Sequence, residues 1–326
     1  MIAADRLTGQ RAFRARLGEQ AAASARRMRK IYAPALEALS RKARTLRNGD
    51  FADRDVQIFR DDVQARLDAL LPSIEAEVRD NEREGLREGA ILAAERLRQW
   101  TPDIPELPDG AGYVDSAAWQ DQSRKFGPFH AAALAALIAT AKEKQRDKFA
   151  IGQAVIDYLD KRPYFDMVRN GRTVQLWSAR AGQREIFRAN RRIVRAWIWS
   201  CARDKRTCMS CWAMDGTRHD IEEILNDHHL GRCAMVPVTP DWSDFGLGDG
   251  GQGAYGGGEG AFRRLSEDEQ ISAMGMARWR AWQDGLFRFS DLSMVYVDPV
   301  FGPMRKETPL EKLIGANLAQ SYARRG

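Results

Sequence analysis

The sequence predicts a mainly α protein, with an elongated helical N-terminal region followed by a small α+β C-terminal module. Three observations predict it. Apolar residues recur at helical spacing from Val56 to Leu97, two Pro/Gly-rich breaks interrupt the chain, and three of its four cysteines fall between Cys208 and Cys233. At 326 residues the chain exceeds the roughly 100 to 200 residues of one domain, so more than one compact unit is expected. With 44% hydrophobic and 29% charged residues, the composition is that of a globular protein rather than a disordered, collagen-like or membrane chain. The longest apolar run, from Phe129 to Ala141, stops at Lys142 and Glu143, short of the roughly 18 residues a membrane span needs. Met1 to Gln20 has scattered arginines but no apolar segment leading to a small-residue cleavage site, which argues against a secretory signal and for a cytosolic start.

The first segment, residues 1–100, reads as a basic helical arm followed by a helical hairpin. Net charge is +6 overall, yet twelve bases against Asp5, Glu19 and Glu37 give +9 up to Asn48, leaving −3 for the remainder. Arg26, Arg27, Arg29, Lys30, Arg41, Lys42, Arg44 and Arg47 are therefore candidate contacts to DNA or an acidic partner, set against a plain solvated helix face. From Val56, the positions Phe59, Val63, Leu67, Leu70 and Leu71 form one helical stripe that should end at Pro72. Ser73 then reads as an N-cap, and Ile74, Val78, Leu86, Ala90, Ala93 and Leu97 continue as the antiparallel second helix.

Residues 101–128 read as a linker, because Pro102, Pro105, Pro108, Gly110, Gly112, Gly127 and Pro128 forbid a continuous helix. Residues 129–200 read as helical, with pauses at Pro163 and at Asn170-Gly171, and with a last helix from Gln183 to about Ser200 that puts Ile186, Phe187, Ile193, Val194 and Trp197 on one face. Residues 201–245 form the cysteine and histidine module, and residues 246–260, nine of them glycine, a loop that packs nothing. That loop has no Gly-Lys-Ser/Thr, which excludes a P-loop. Residues 261–326 read as a C-terminal helical segment. It opens with Ser266-Glu267-Asp268-Glu269 as a cap and closes with Leu310, Leu313, Ile314 and Leu318 at helical spacing.

The chemistry concentrates at Cys208-Met209-Ser210-Cys211, a Cys-x-x-Cys knuckle that lets two thiolates converge on one ion. Cys208, Cys211, His228 and Cys233 supply the four ligands of a tetrahedral structural zinc, with His229 an alternative to His228. Two other readings stand beside it. The thiols can simply pack, as expected for Cys201, or the pair can be redox-active, which fits less well with a Trp-rich helix before the motif. Asp227-His228 also suits a zinc-knuckle nuclease of the His-Asn-His type, but no histidine follows His229 to complete one. No Gly-x-Ser-x-Gly elbow or His-Glu-x-x-His helix is present, so no catalysis is expected.

The run Trp199-Ser200-Cys201-Ala202-Arg203-Asp204-Lys205-Arg206-Thr207-Cys208-Met209-Ser210-Cys211-Trp212-Ala213-Met214-Asp215-Gly216-Thr217 resembles the signature of tailed-phage head morphogenesis proteins, the phage Mu F-like minor head protein family. There an aromatic-rich helix leads into Asp-x-Arg-Thr-Cys-x-x-Cys, a small-residue stretch and Asp-Gly. The second half, His228-His229-Leu230-Gly231-Arg232-Cys233 before Ala234-Met235-Val236-Pro237, resembles the family's His-Pro-Asn-Cys/Gly-Arg-Cys and apolar strand. Asp204, Arg206, Thr207, Asp215, Gly216, Gly231 and Arg232 match in order, as motif residues expected to order the loops. His229-Leu230 replaces Pro-Asn, and His228 aligns with the family's histidine. The resemblance runs from Gln183 to Gly315. It implies a non-enzymatic minor capsid component, acting at the portal vertex or capsid interior during head assembly and DNA packaging. The implied partners are the portal protein, other capsid or scaffold proteins and packaged DNA, with no membrane. The implied location is the virion head, and the host cytoplasm during assembly. A DNA-binding protein without a virion role, or the nuclease, is the alternative.

Overall fold

A computed structural model describes residues 2–47, 52–97, 114, 116–144, 146–239 and 257–324. The side chain of Arg47, half of the predicted 101–128 linker and residues 246–256 of the glycine run lie outside the described residues. The chain divides into two compact units. One comprises Met1–Ala15, Leu86–Pro108 and Ala179–Gly326, the other Arg16–Gly85 and Asp109–Ser178. Among the described residues no helix is long and apolar enough to cross a membrane.

The second of these units is all helical. It contains most of α1 (Ile2–Arg47), α2 (Asp53–Asp68), the start of α3 (Leu71–Leu97), α4 (Ala117–Glu143) and most of α5 (Lys148–Ala189). The basic first segment is not a free arm. Leu17, Ala21, Met28, Tyr32, Ala35, Leu39 and Ala43 bury one stripe of α1, spaced at three, four or seven residues. Its polar links reach other helices: Tyr32 OH donates to the Leu159 carbonyl at 2.5 Å, and Asn81 Nδ2 to Ser24 Oγ at 2.8 Å.

Four predicted breaks fall differently in the structure. Helix α4 starts at Ala117 and runs through Gly127-Pro128, because Trp119, His130, Ala131, Leu134 and Ile138 bury a continuous face that outweighs the roughly 3 kcal/mol an internal proline costs. Gly127 serves close packing instead, since a Cβ there would lie 2.1 Å from Asp68 Oδ1 on α2. Helix α5 likewise passes Pro163 and Asn170-Gly171 without a pause, and a Cβ at Gly171 would meet Met28 Cε at 2.6 Å. Pro72 and Ser73 sit in the first turn of α3 rather than before it, at a position where a proline loses no helical hydrogen bond.

In the other unit, the segment expected to finish the last long helix is a strand. Helix α5 ends at Ala189, the Asn190 side chain donates to the Ile186 carbonyl at 2.9 Å, and β1 (Ala196–Ser200) begins six residues later. Ala-Trp-Ile-Trp-Ser is β-branched and aromatic, and each residue pairs across an antiparallel ladder with β3 (Ala234–Val238), from Ala196 opposite Val238 to Ser200 opposite Ala234. The short β2 (Arg218–His219) closes the order β2-β1-β3. Helix α6 (Met209–Met214) lies between β1 and β2 in sequence.

The C-terminal segment is not purely helical. After α7 (Gly258–Phe262), α8 (Glu267–Met274) and α9 (Met276–Gln283), a hairpin of β4 (Ser293–Asp298) and β5 (Gly302–Glu307) precedes α10 (Leu310–Ile314) and α11 (Ala316–Arg324). The Ser266–Glu269 capping box opens α8 as predicted. The end of the glycine run does pack, since a Cβ at Gly258 would approach the Trp212 carbonyl to 2.0 Å. Trp197, Trp199, Trp212, Trp282, Phe187, Phe262 and Phe289 share one core with Cys201, Cys211 and Cys233. No described tryptophan is exposed.

Candidate metal centre

Two segments build the centre. The first is the start of α6, where Cys208 is the N-cap and its Sγ accepts the Cys211 N–H at 3.4 Å, which turns both sulfurs to the same side. The second is the loop 227–233 that leads into β3. Its turn closes through Gly231 N–H to the His228 carbonyl at 2.9 Å, with Leu230 at φ 59°.

His228 Nε2 lies 3.1 Å from Cys208 Sγ and 3.3 Å from Cys211 Sγ. Tetrahedral zinc, with Zn–S near 2.3 Å and Zn–N near 2.0 to 2.1 Å, places sulfur and nitrogen ligand atoms about 3.5 Å apart, so both sulfur-to-nitrogen distances stand within about half an ångström of that spacing, and the two sulfurs lie within 4.8 Å of each other. His228 Nδ1 lies 2.8 Å from the His229 carbonyl oxygen, a contact that assigns the ring proton to Nδ1 and leaves Nε2 toward the sulfurs. Cys208, Cys211 and His228 thus form a group that can hold a metal ion. Cys233 belongs with Cys211 and Asp227 in a second group, and the four predicted ligands do not all lie within 4.8 Å of one another. Cys211 is common to both groups.

The electrostatics suit a thiolate site. The hydrogen bond with Cys211 is the largest influence lowering the Cys208 thiol, to about 5, against burial and with help from His228. Burial opposes charge on His228, but its bond to Cys208 Sγ and the Cys208 charge outweigh it and raise the imidazole to about 10. Contacts with Cys208 and Cys233, and then burial, push Cys211 well above its ordinary value. Metal binding would release the protons these groups hold.

The second group is neutralised from α5. Arg180 Nη1 donates to Asp227 Oδ1 at 2.5 Å and Nη2 to Oδ2 at 2.7 Å, and the same guanidinium reaches the carbonyls of Gly231 at 2.9 Å and Cys233 at 3.0 Å. Both charged side chains are buried. Asp227 is therefore turned to an arginine and His228 to two sulfurs. Sequence reasoning missed Arg180, since nothing distinguishes it from its neighbours on an arginine-studded helix.

The motif residues bond to one another. Asp204 takes a fork from Arg232, Nη1 to Oδ2 at 2.5 Å and Nη2 to Oδ1 at 2.6 Å, and also accepts the Arg206 N–H at 3.0 Å and the Thr207 hydroxyl at 3.2 Å. The Arg232 bond holds the Asp204 carboxyl well below its usual range. Arg206 orders the turn through its backbone and leaves its side chain exposed. Asp215 accepts Cys201 N–H at 2.8 Å and Arg203 Nε at 2.7 Å. Gly216 at φ 85° makes the turn into β2, and a Cβ on Gly231 would lie 1.9 Å from Asp227 Oδ2.

His229, the alternative ligand, is placed elsewhere. Its Nε2 lies 2.9 Å from Asp298 Oδ2, and its ring meets Phe301 edge-on at the hairpin turn. Cys201 is buried and belongs to neither ligand group, as expected of a packing residue. Of the basic set, Arg27 pairs with Glu77, Arg29 with Asp160, Lys42 with Asp62 and Arg41 with Glu37, while Arg26, Lys30 and Arg44 are exposed.

Comparison with protein-family models, with curated proteins and with solved structures finds no match to this chain.

Proposed function

We propose that this chain is a non-enzymatic minor head protein of a tailed bacteriophage, in which Cys208, Cys211, His228 and Cys233 staple a C-terminal module around one structural zinc ion. The observation that carries the reading is the Asp204–Arg232 fork. It ties the Asp-x-Arg-Thr-Cys-x-x-Cys half of the signature to the Gly-Arg-Cys half, directly beside three converging ligand atoms. The fork supports the reading of the signature as a structural clip. Zinc is the ion that suits two thiolates and an imidazole, with Cys233, whose sulfur lies within 4.8 Å of Cys211 Sγ, as the fourth ligand.

On this reading the protein acts at the portal vertex or capsid interior, contacting portal, capsid or scaffold proteins. Arg26, Lys30 and Arg44 offer a sequence-independent, salt-sensitive contact to packaged DNA phosphates. Quantitative mass spectrometry of purified particles tests the assignment: a few copies per particle are expected, and absence from particles of a chain abundant in the infected cell overturns it. Elemental analysis of the purified full chain is expected to find one equivalent of zinc, and none would remove the ion from the proposal.

A further inference from the structure

Cys211 stands between two other thiols. The sulfurs of Cys208 and Cys233 each lie within 4.8 Å of Cys211 Sγ. Access differs along the series, since Cys208 is half-buried while Cys211 and Cys233 are 4% and 5% exposed. Cys201, 3% exposed, is in neither ligand group. The sequence raised one objection to thiol redox chemistry, a tryptophan-rich helix before the motif. It does not hold, because Ala196–Ser200 is a strand.

We propose that Cys208 and Cys211 are a peroxide-oxidisable pair, a reversible disulfide site set inside the proposed metal clip. Peroxide reaches the half-buried Cys208 first. Its sulfur attacks one peroxide oxygen, the O–O bond breaks, and Cys208 sulfenic acid and one water form. Cys211 sulfur then attacks the sulfenic sulfur, the S–O bond breaks, and the departing hydroxide takes the Cys211 proton as a second water. Two thiols and one hydrogen peroxide become one disulfide and two waters, with sulfur oxidised and peroxide oxygen reduced. Cys208 is preferred over Cys233 as partner because it is the accessible thiol and shares a helical turn with Cys211. The consequence for the metal rests on the zinc reading: the disulfide withdraws two donors, His228 and Cys233 cannot hold a tetrahedral ion alone, and the clip opens.

The test uses the full chain, loaded with zinc under reducing conditions, freed of reductant and treated with hydrogen peroxide. Alkylation and peptide mass spectrometry follow the thiols, and a chromogenic chelator follows zinc. The expected result is a disulfide joining Cys208 and Cys211, reversed by dithiothreitol, formed about tenfold faster than any oxidation of Cys201 and in step with zinc release. The Cys201→Ser chain should behave alike. Cys208 over-oxidised to sulfinic acid with Cys211 still alkylatable, or a Cys211–Cys233 disulfide in its place, overturns the proposal. A chain that binds no zinc yet forms the Cys208–Cys211 disulfide removes the zinc reading and supports the pair. Bound zinc with no disulfide does the reverse.

Discussion

Arg180 donates to both oxygens of Asp227 and to two carbonyls of the same loop, so a single guanidinium organises the loop that carries His228 and Cys233. Arg180→Ala would leave Asp227 buried and unpaired, at a cost of about 3 to 5 kcal/mol. Urea denaturation measures it, and a loss under about 1 kcal/mol would sink the assignment, being what an exposed pair is worth. Lysine should rescue only part of the loss, because an ammonium cannot reproduce the planar fork. At this scale the ligands were legible and their support was not. Cys208 and Cys211 announce themselves by type and spacing, whereas Arg180 lies 47 residues before its partner and carries no local signal.

Helices α3 and α5 approach through glycine. A Cβ on Gly89 would fall 1.7 Å from the Ala179 carbonyl oxygen, one on Gly182 2.1 Å from that of Leu86, and one on Gly85 2.2 Å from that of Gln175. Gly89→Ala is therefore expected to destabilise by about 2 kcal/mol or more despite alanine's better helix propensity. Gly18→Ala on α1, where nothing lies within 4 Å of the added Cβ, should stabilise by about 0.5 to 1 kcal/mol. Thermal melts of the two variants compare them directly, and equal shifts would show that helix contact does not decide the first. The elements misread from sequence share a cause. Trp197 fits the helical face of Ile186, Ile193 and Val194 as well as a strand, and only the ladder to β3 selects the strand. Gly127-Pro128 reads as a break until the buried face of α4 is counted.

Across the whole molecule, stability should depend on acid through His130. The ring is 1% exposed, with Nδ1 2.9 Å from the Tyr158 hydroxyl, Phe126 and Phe129 edges against it, and Asp166 at 3.7 Å. Burial is the largest influence on its pKa and lowers it from 6.5 to about 4, with Asp166 opposing and Arg162 and Arg169 assisting. Between those values the unfolded chain binds a proton that the folded chain refuses, so stability falls as pH drops through that window. From pH 7 to 4.5 this contributes about 2 kcal/mol of loss, which His130→Gln should remove. Denaturant titrations of both proteins at the two pH values decide it, and parallel losses would refute the assignment.

Local sequence alone carried the apolar stripe of α2, the cap of α8 and the pairing of Cys208 with Cys211, because each depends on residues within a few helical turns of one another. Packing alone made His228 rather than His229 the imidazole beside the sulfurs, grouped Cys233 with Cys211 and Asp227, and brought Arg180 to the loop. Neighbouring histidines are chemically equivalent in a sequence. They differ only once the chain's turn points one ring at two thiols and the other at Asp298, and that direction is set by segments tens of residues away.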